Sequence, residues 1–549
     1  MNFFIKFIFS LCFYLLIFNV NLTLCSTYVI PICSNNIYHT CDLDHTYCDL
    51  SCTVAFDDVI NIPLSPTSKK ISYSVFSNDK NLSFDNYSNT TYFTNKYSKI
   101  PGILTFRGNS FRTSPSYGTI SAHSSSLEKL WSFRTSYLNW GGGCGWTGQP
   151  LIIKWPNEIK SIMNLNDEFK NKNDFVEVIC ASLDGKVYFL DLDTGQQTRK
   201  PINTHNVIKG TPSLDPRGYP LLYVGQGLNT TGQIGYRIYN LITGELLYFI
   251  NGSDKLAFRN WGAFDGSPLI NGESDTLILG GENGILYILK LNTKFDIHNK
   301  IISVSPETIK YRYKSTDTFE LGIENSVAAY KNLIYFADNT GTIQCVDLNS
   351  LQPVWSFFNT DDTDATLTLS IEDGFPYIYT GNEVDKQGSS GTCYLRKLDA
   401  LTGDLIFEYP VHAYSIIGSN PINGGMLSTN IVGKNDIDNL CIFTIARYKN
   451  MNSGLIIALN KNTGKEVWRY EMPYYAWSSP VDIYDSNGKS YIIQCDSVGN
   501  MFLIEGSTGK ILNKINLGSN IEGSPAVYKN TVILGTRGGL FYGINISTQ

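Results

Sequence analysis

The chain has 549 residues, of which 42% are hydrophobic and only 17% charged, with 34 Tyr, 29 Phe and 47 Gly. The formal net charge is -6 and there is no long basic run, which excludes an electrostatic footprint for nucleic acid. Many aromatics and turn formers at low charge favour an all-β fold, and the length allows several ordinary domains or one large repeat array.

The first residues, MNFFIKFIFSLCFYLLIFNVNLTLCS, carry one Lys and then an apolar core from Phe7 to Phe18. That is the shape of a signal peptide over 1–26, with cleavage expected near Cys25 or Ser26. The apolar core is shorter than the ~20 residues of a membrane span, and no later stretch is long enough to cross a bilayer. The mature chain is therefore expected in the secretory pathway, secreted or at the extracellular surface. Glycosylation sequons at Asn81, Asn86, Asn89, Asn229, Asn251 and Asn545 agree with that compartment.

Residues 27–64 hold Cys33, Cys41, Cys48 and Cys52. In a secreted chain this reads as two disulfides, with three pairings open. A metal site that also uses His39 and His45 is the rival reading, but the spacing fits no zinc motif. Residues 65–100 are rich in Ser, Asn, Thr, Tyr and Lys without a period and read as a polar linker. Pro101–Thr119, with two Arg and two Pro among aromatics, reads as an ordered lead-in packed on the repeats beyond it.

Residues 101–549 read as one repeat array. Each unit begins with a Gly/Ser-Pro-like phrase: Thr147-Gly148-Gln149-Pro150, Gly210-Thr211-Pro212, Gly266-Ser267-Pro268, Ser419-Asn420-Pro421, Ser478-Ser479-Pro480 and Gly523-Ser524-Pro525. Asn325-Ser326-Val327 and Ala365-Thr366-Leu367 take the same place without Pro. An apolar strand comes next, such as Leu333–Asp338 or Cys441–Arg447, and then a Gly-led strand ending in a turn, such as GKVYFLDLDTG or GLIIALNKNTG. An aromatic stands four residues beyond the turn Gly: Tyr248, Phe407 and Trp468, with Trp355 in the same place. Two repeats put Arg199 and Asn513 there instead.

The spacing, roughly 45–60 residues, is that of a propeller blade. The expectation is an eight-bladed β-propeller of four-stranded antiparallel blades. The eighth unit stops after its third strand, while an orphan strand, LEKLWSFRT, precedes the first. That strand completes the last blade and closes the ring, with Trp131 in the aromatic place.

Insertions at Trp155–Asn173, Asn292–Thr308 and Asn423–Asn439 are expected as surface detours, the first with a short helix started near Pro156. Cys180, Cys345, Cys393, Cys441 and Cys495 fall within strands of different blades and read as buried apolar residues, not bridges. Glycines between Trp140 and Trp146 permit a tight backbone path at the mouth of the ring, or a gating loop.

The strand–turn–aromatic phrase, best seen in GLIIALNKNTGKEVW, resembles the pyrroloquinoline-quinone-like (quinoprotein) β-propeller repeat over Leu127–Ile546. The lead-in LTFRGNSFRTSPSYG is similar to that of secreted bacterial propellers known only by this repeat. The resemblance implies a fold that carries quinone-dependent alcohol dehydrogenases, non-enzymatic scaffolds such as the bacterial outer-membrane barrel assembly lipoprotein, and sensor domains. A dehydrogenase of the family would need pyrroloquinoline quinone (PQQ), a Ca²⁺ site of carboxylate and amide oxygens, and an Asp base. Many members also carry a vicinal Cys-Cys pair and some a Cys-x-x-Cys-His motif, and this chain has neither.

By position, the channel-lining candidates for a ligand or cofactor are Trp146, Lys209, Asp265, Glu324, Asp364, Trp477 and Glu522. The bland reading is a wet, polar-lined channel. Asn382 with Glu383, or Glu372 with Asp373, are further metal-ligand candidates. No catalytic set emerges, and the six His residues are scattered. The expected function is a secreted, non-enzymatic propeller that binds a protein or a small polar ligand at a loop face or channel mouth, with no cofactor. The alternative is a PQQ-dependent oxidoreductase with Ca²⁺ in the channel.

Overall fold

Short apolar runs separated by Gly-led turns fold as eight antiparallel blades around a central channel. The computed structural model describes residues 71–82, 91–121, 124–146, 148–228, 232–315 and 321–548. These fall within the second of two units of the chain, Asn61–Gln549; the signal segment, the four N-terminal cysteines and the sequons Asn86, Asn89 and Asn229 lie outside them. Among the described residues no helix is long and apolar enough to cross a membrane.

The closing blade is built as the orphan strand requires. Ser124–Arg134 pairs antiparallel with Leu540–Thr548, so a strand that precedes the first repeat becomes the outer strand of the last blade. The insertion after Trp155 forms two short helices, Asn157–Ile162 and Asp167–Asn171. Cys180, Cys345, Cys393, Cys441 and Cys495 are buried and free.

The aromatic position is an inter-blade clasp. Trp131, Trp355 and Trp468 each donate their indole N–H to a carbonyl three residues before the turn Gly of the next blade, at Leu192, Ala400 and Gly506. The turn must be glycine for two reasons. Gly195 has φ 69°, and a Cβ there would lie 2.5 Å from the Trp131 ring. Arg199, which stands where the aromatic is missing, donates to the equivalent carbonyl of Leu241 while paired to Glu177 at 2.6 Å. The position changes chemistry there and keeps its partner.

The Gly/Ser-Pro phrase closes an inner belt. Its backbone N–H donates to the hydroxyl of the next blade: Gln149 to Thr211, Ser267 to Ser326, Ser326 to Thr366, Thr366 to Thr429, Thr429 to Ser479 and Ser479 to Ser524. Ser524 N–H then reaches the carbonyl of Gly148. Thr429 corrects one assignment. Ser419-Asn420-Pro421 lies exposed on a loop, and the sixth blade begins at Thr429, just before Ile431–Val432. Both segments have turn chemistry, but only Thr429 presents its hydroxyl to the belt.

The lead-in floors the channel. Arg107 and Arg112 are fully buried, both at positive φ. Arg112 donates to the carbonyls of Val327 and Ser267, and Arg107 to those of Arg112 and Pro480. Backbone bonds from the same segment reach Leu214, Ala329 and Leu369, and Ser116 pairs in parallel with Val527. Gly102 pairs with Ile153, and the Lys434 ammonium holds the Thr113 carbonyl. The segment thus bonds to the inner edge of all eight blades.

Part of the stretch read as linker is ordered. Ser72–Ser77 and Lys80–Asn81 form a hairpin whose first strand pairs with Glu307–Lys314, adding two strands outside the third blade. Val75 and Phe76, adjacent in the strand, are both buried, so no alternation of polar and apolar residues marks it in sequence.

Candidate functional site: the acid-lined channel mouth

The belt fixes the site's register. Two residues before each belt hydroxyl stand Lys209, Asp265, Glu324, Asp364, Leu427, Trp477 and Glu522. Five candidate side chains therefore enter the mouth above the floor made by the lead-in: Lys209, Asp265, Glu324 and Asp364 from the second to fifth blades, and Glu522 from the eighth. Each second strand runs back antiparallel, so the one or two residues beyond it return to the same end. That return brings in Glu282, Glu383, Arg447 and Arg537. Sequence reading missed Glu282, Arg447 and Arg537, and placed Glu383 elsewhere. A charged residue one or two positions past the second strand was the signal that could have found them.

Asp265, Glu282 and Glu324 each present an oxygen within 4.8 Å of the others'. Glu282 is 2% exposed; its Oε2 accepts from Trp261 Nε1 at 2.6 Å, while its Oε1 has no hydrogen-bond partner among the described residues. The triad can hold a cation and already faces one: Lys209 is ion-paired to Asp265. Burial alone would lower the Lys209 pKa, but Asp265, Glu282 and Glu324 outweigh it and raise it. Arg259 approaches Glu324 at 3.6 Å.

Further buried acids interact with Glu324. Asp362, Asp364 and Glu383 are 8%, 9% and 0% exposed. Burial first, and their mutual repulsion second, push Asp362 and Glu383 well above the usual carboxylate range. Asp364 is pushed up to about 8 by burial and by the Glu324 charge. Glu282 rises for the same reasons, from burial and from Glu324 and Asp265. These acids hold protons near neutral pH unless a cation takes their place.

Trp146 and Trp477 meet edge-on, 6.4 Å apart at 66°. Trp146 crosses to the sixth blade, donating to the Leu427 carbonyl at 3.0 Å. Arg447 stacks on Tyr475 and Trp477. Glu522 is held by Arg537 at 3.5 Å and Asn520 at 2.8 Å. The Trp140–Trp146 loop is pinned to the eighth blade: Gly142 bridges Gly538, and a Cβ on Gly143 would strike the Thr536 carbonyl. Glu372 stands apart, bonded to Lys397 at 2.6 Å and to Tyr379 at 2.7 Å within the fifth blade.

Residues 452–548 match a family model described as outer membrane protein assembly factor BamB. Over those residues the chain is similar to the pyrroloquinoline-quinone-like repeat. Comparison with curated proteins finds no match. Among solved structures, quinohemoprotein alcohol dehydrogenase ADHIIG from Pseudomonas putida HK5 superposes with TM-score 0.56 at 12% identity, over 82% of this chain and 81% of that one. The quinohemoprotein alcohol dehydrogenase from Comamonas testosteroni gives 0.55 at 12% identity over the same shares. BamB from Moraxella catarrhalis gives 0.47 at 16% identity, over 76% of this chain and 100% of that one. At these identities the likeness shows the fold alone.

Whether this propeller fits a quinone is a matter of its own residues. PQQ is a flat tricarboxylate and needs parallel faces and free cations. The indoles of Trp146 and Trp477 cross instead of facing each other. Lys209, Arg259, Lys386 and Arg537 already serve carboxylates. The crossed indoles do not offer the parallel faces that a flat quinone needs.

Proposed function

We propose that this protein is a secreted, non-enzymatic propeller that binds a partner or a small polar ligand of positive charge at its channel mouth. One observation carries the reading: the mouth, floored by the lead-in, is ringed by buried acids, and Glu282, Asp362, Asp364 and Glu383 each keep an oxygen with no donor among the described residues. Buried acids of this kind gain from a ligand that supplies the missing donors or charge. The crossed indoles of Trp146 and Trp477 add apolar surface beside them.

The competing reading is a PQQ-dependent oxidoreductase with Ca²⁺ in the same channel. It rests on the fold shared with the dehydrogenases. The test is native mass spectrometry of the protein from its secreted source, with a parallel assay of alcohol oxidation in the presence of quinone, Ca²⁺ and a dye acceptor. The binding reading expects a retained ligand or partner that Trp477→Ala weakens, and no dye reduction. Turnover of an alcohol would replace it with the oxidoreductase reading.

A further inference from the structure

Asp265, Glu282 and Glu324 bring one oxygen each to within 4.8 Å of the others, and among the described residues no other three such ligands converge this closely. Oxygens that share one Ca²⁺ lie at most about 5 Å apart, twice the Ca–O distance. The spacing alone would therefore suit the ion that the competing reading places in this channel. Glu282 adds an oxygen to spare: the residue is 2% exposed, Trp261 takes its Oε2, and its Oε1 has no hydrogen-bond partner among the described residues.

The chain sends its own cation into this group. Lys209, from the second blade, is ion-paired to Asp265, whose side chain is fully buried, while that of Lys209 is 12% exposed. The charges of Glu282, Glu324 and Asp364 act on the same ammonium. Its Nζ lies 6.0 Å from the Trp146 ring centre, and Arg259 approaches Glu324 from the far side at 3.6 Å. The backbone makes room for the lysine. A Cβ on Gly227 would lie 2.4 Å from Lys209 Cε and 2.6 Å from Asp265 Oδ1. Gly227 does not have a positive φ, so what glycine provides here is space. Its N–H is fixed on the Val207 carbonyl at 2.9 Å, which keeps this backbone against the lysine.

We infer that Lys209 is a built-in cation: the Asp265–Glu282–Glu324 site is filled by the chain's own ammonium and takes a divalent ion only when Lys209 is withdrawn. An ammonium has three donors and is served by three acceptors, whereas Ca²⁺ wants six to eight oxygens. The two cannot share the site, because like charges a few ångströms apart repel strongly in a buried setting. The tethered ammonium also never has to be captured from solution, so it competes at a high effective concentration. The residues present therefore do not fit Ca²⁺ as long as Lys209 stays seated. This inference goes beyond the binding reading and does not depend on it.

Terbium luminescence excited through tryptophan tests this on the full secreted chain, together with melting temperatures in CaCl₂ and in EDTA. Trp261, bonded to Glu282, stands close enough to sensitise an ion held there. The wild type should melt at the same temperature in both media. Lys209→Met should gain a saturable terbium site, bind Ca²⁺ at least about tenfold more tightly than the wild type, and melt higher in CaCl₂ than in EDTA. Adding Glu282→Gln should abolish that gain. Should Lys209→Met fail to fold, Gly227→Ala decides: it keeps every charge, crowds Lys209 out of its seat, and should open the site to terbium in the same way. A wild type that binds Ca²⁺ as tightly as Lys209→Met would overturn the inference. So would folded variants that gain no site, or a gained site that survives Glu282→Gln.

Discussion

Trp131 Nε1 donates to the Leu192 carbonyl at 2.8 Å, and so a strand that precedes the first repeat grips the turn of the first blade from its place in the last. The ring closes through this pair as well as through the sheet. Trp131 is 7% exposed and packs against Gly195. Trp131→Ala should therefore cost about 3–5 kcal/mol. Trp131→Phe keeps most of the apolar contact but orphans the Leu192 carbonyl, and should cost about 1–2 kcal/mol. Equilibrium denaturation of the two variants checks both values; equal costs would mean that the indole N–H contributes nothing to closure.

The inner belt predicts that hydroxyl chemistry outweighs size. Ser326 accepts from Ser267 N–H at 2.8 Å, and both are buried. Ser326→Ala leaves that N–H without its acceptor and should cost about 1–3 kcal/mol. Ser326→Thr retains the acceptor and should cost less than Ser326→Ala. Denaturation midpoints order the variants.

The floor should be sensitive to charge and fork geometry. Arg112 is bonded to Val327, Ser267 and Phe106 carbonyls and to the Thr105 hydroxyl. Arg112→Met strips these donors from buried acceptors and should cost about 3 kcal/mol or more. Arg112→Lys, a single point donor, should recover only part of it. Limited proteolysis within Pro101–Thr119 offers a second readout, since a loosened floor is cut faster.

The buried acids of the mouth give stability a pH slope. An acid whose folded pKa is raised binds its proton in the folded state and loses it in the unfolded one. Stability then falls as pH rises from the unfolded value near 4 to the folded value. For Asp364 that window ends at about 8, and Glu282, Asp362 and Glu383 act in the same direction. The free protein should melt at progressively lower temperature from pH 5 to 8. Asp364→Asn, permanently neutral, should flatten the slope and raise the melting temperature at pH 8. A melting temperature that climbs across that range would contradict the assigned shifts.

Three described sequons separate by structure. Asn81 and Asn251 are exposed, the first on the added hairpin and the second at the end of an outer strand. Asn545 lies in an interior strand, half-buried and paired with both Thr531 and Glu128. Expressed through a glycosylating secretory pathway, the protein should carry glycans at Asn81 and Asn251 and none at Asn545. Glycopeptide mass spectrometry settles each site.

The propeller was legible in the sequence because each blade repeats the same local solution. Alternating apolar strands, a turn glycine and an aromatic four residues on recur whatever the neighbours, and counting them predicts both the blades and the closing strand. The sixth blade shows where that logic fails: Ser419-Asn420-Pro421 has the local chemistry, but a belt partner exists only for Thr429. Arg199 shows the converse, a side chain of the wrong type that keeps the right carbonyl.

The sequence by itself determined the repeat, its number and the acids Asp265, Glu324, Asp364 and Glu522 two residues ahead of four belt positions. Only the tertiary structure decided that Glu282, Glu383 and Arg447 return to the same end, because antiparallel pairing brings together residues that no fixed sequence spacing links. It also decided that Arg107 and Arg112 floor the channel, since their partners are backbone carbonyls, which every residue has and no sequence pattern marks. The pairing of Lys209 with Asp265 likewise exists only in space.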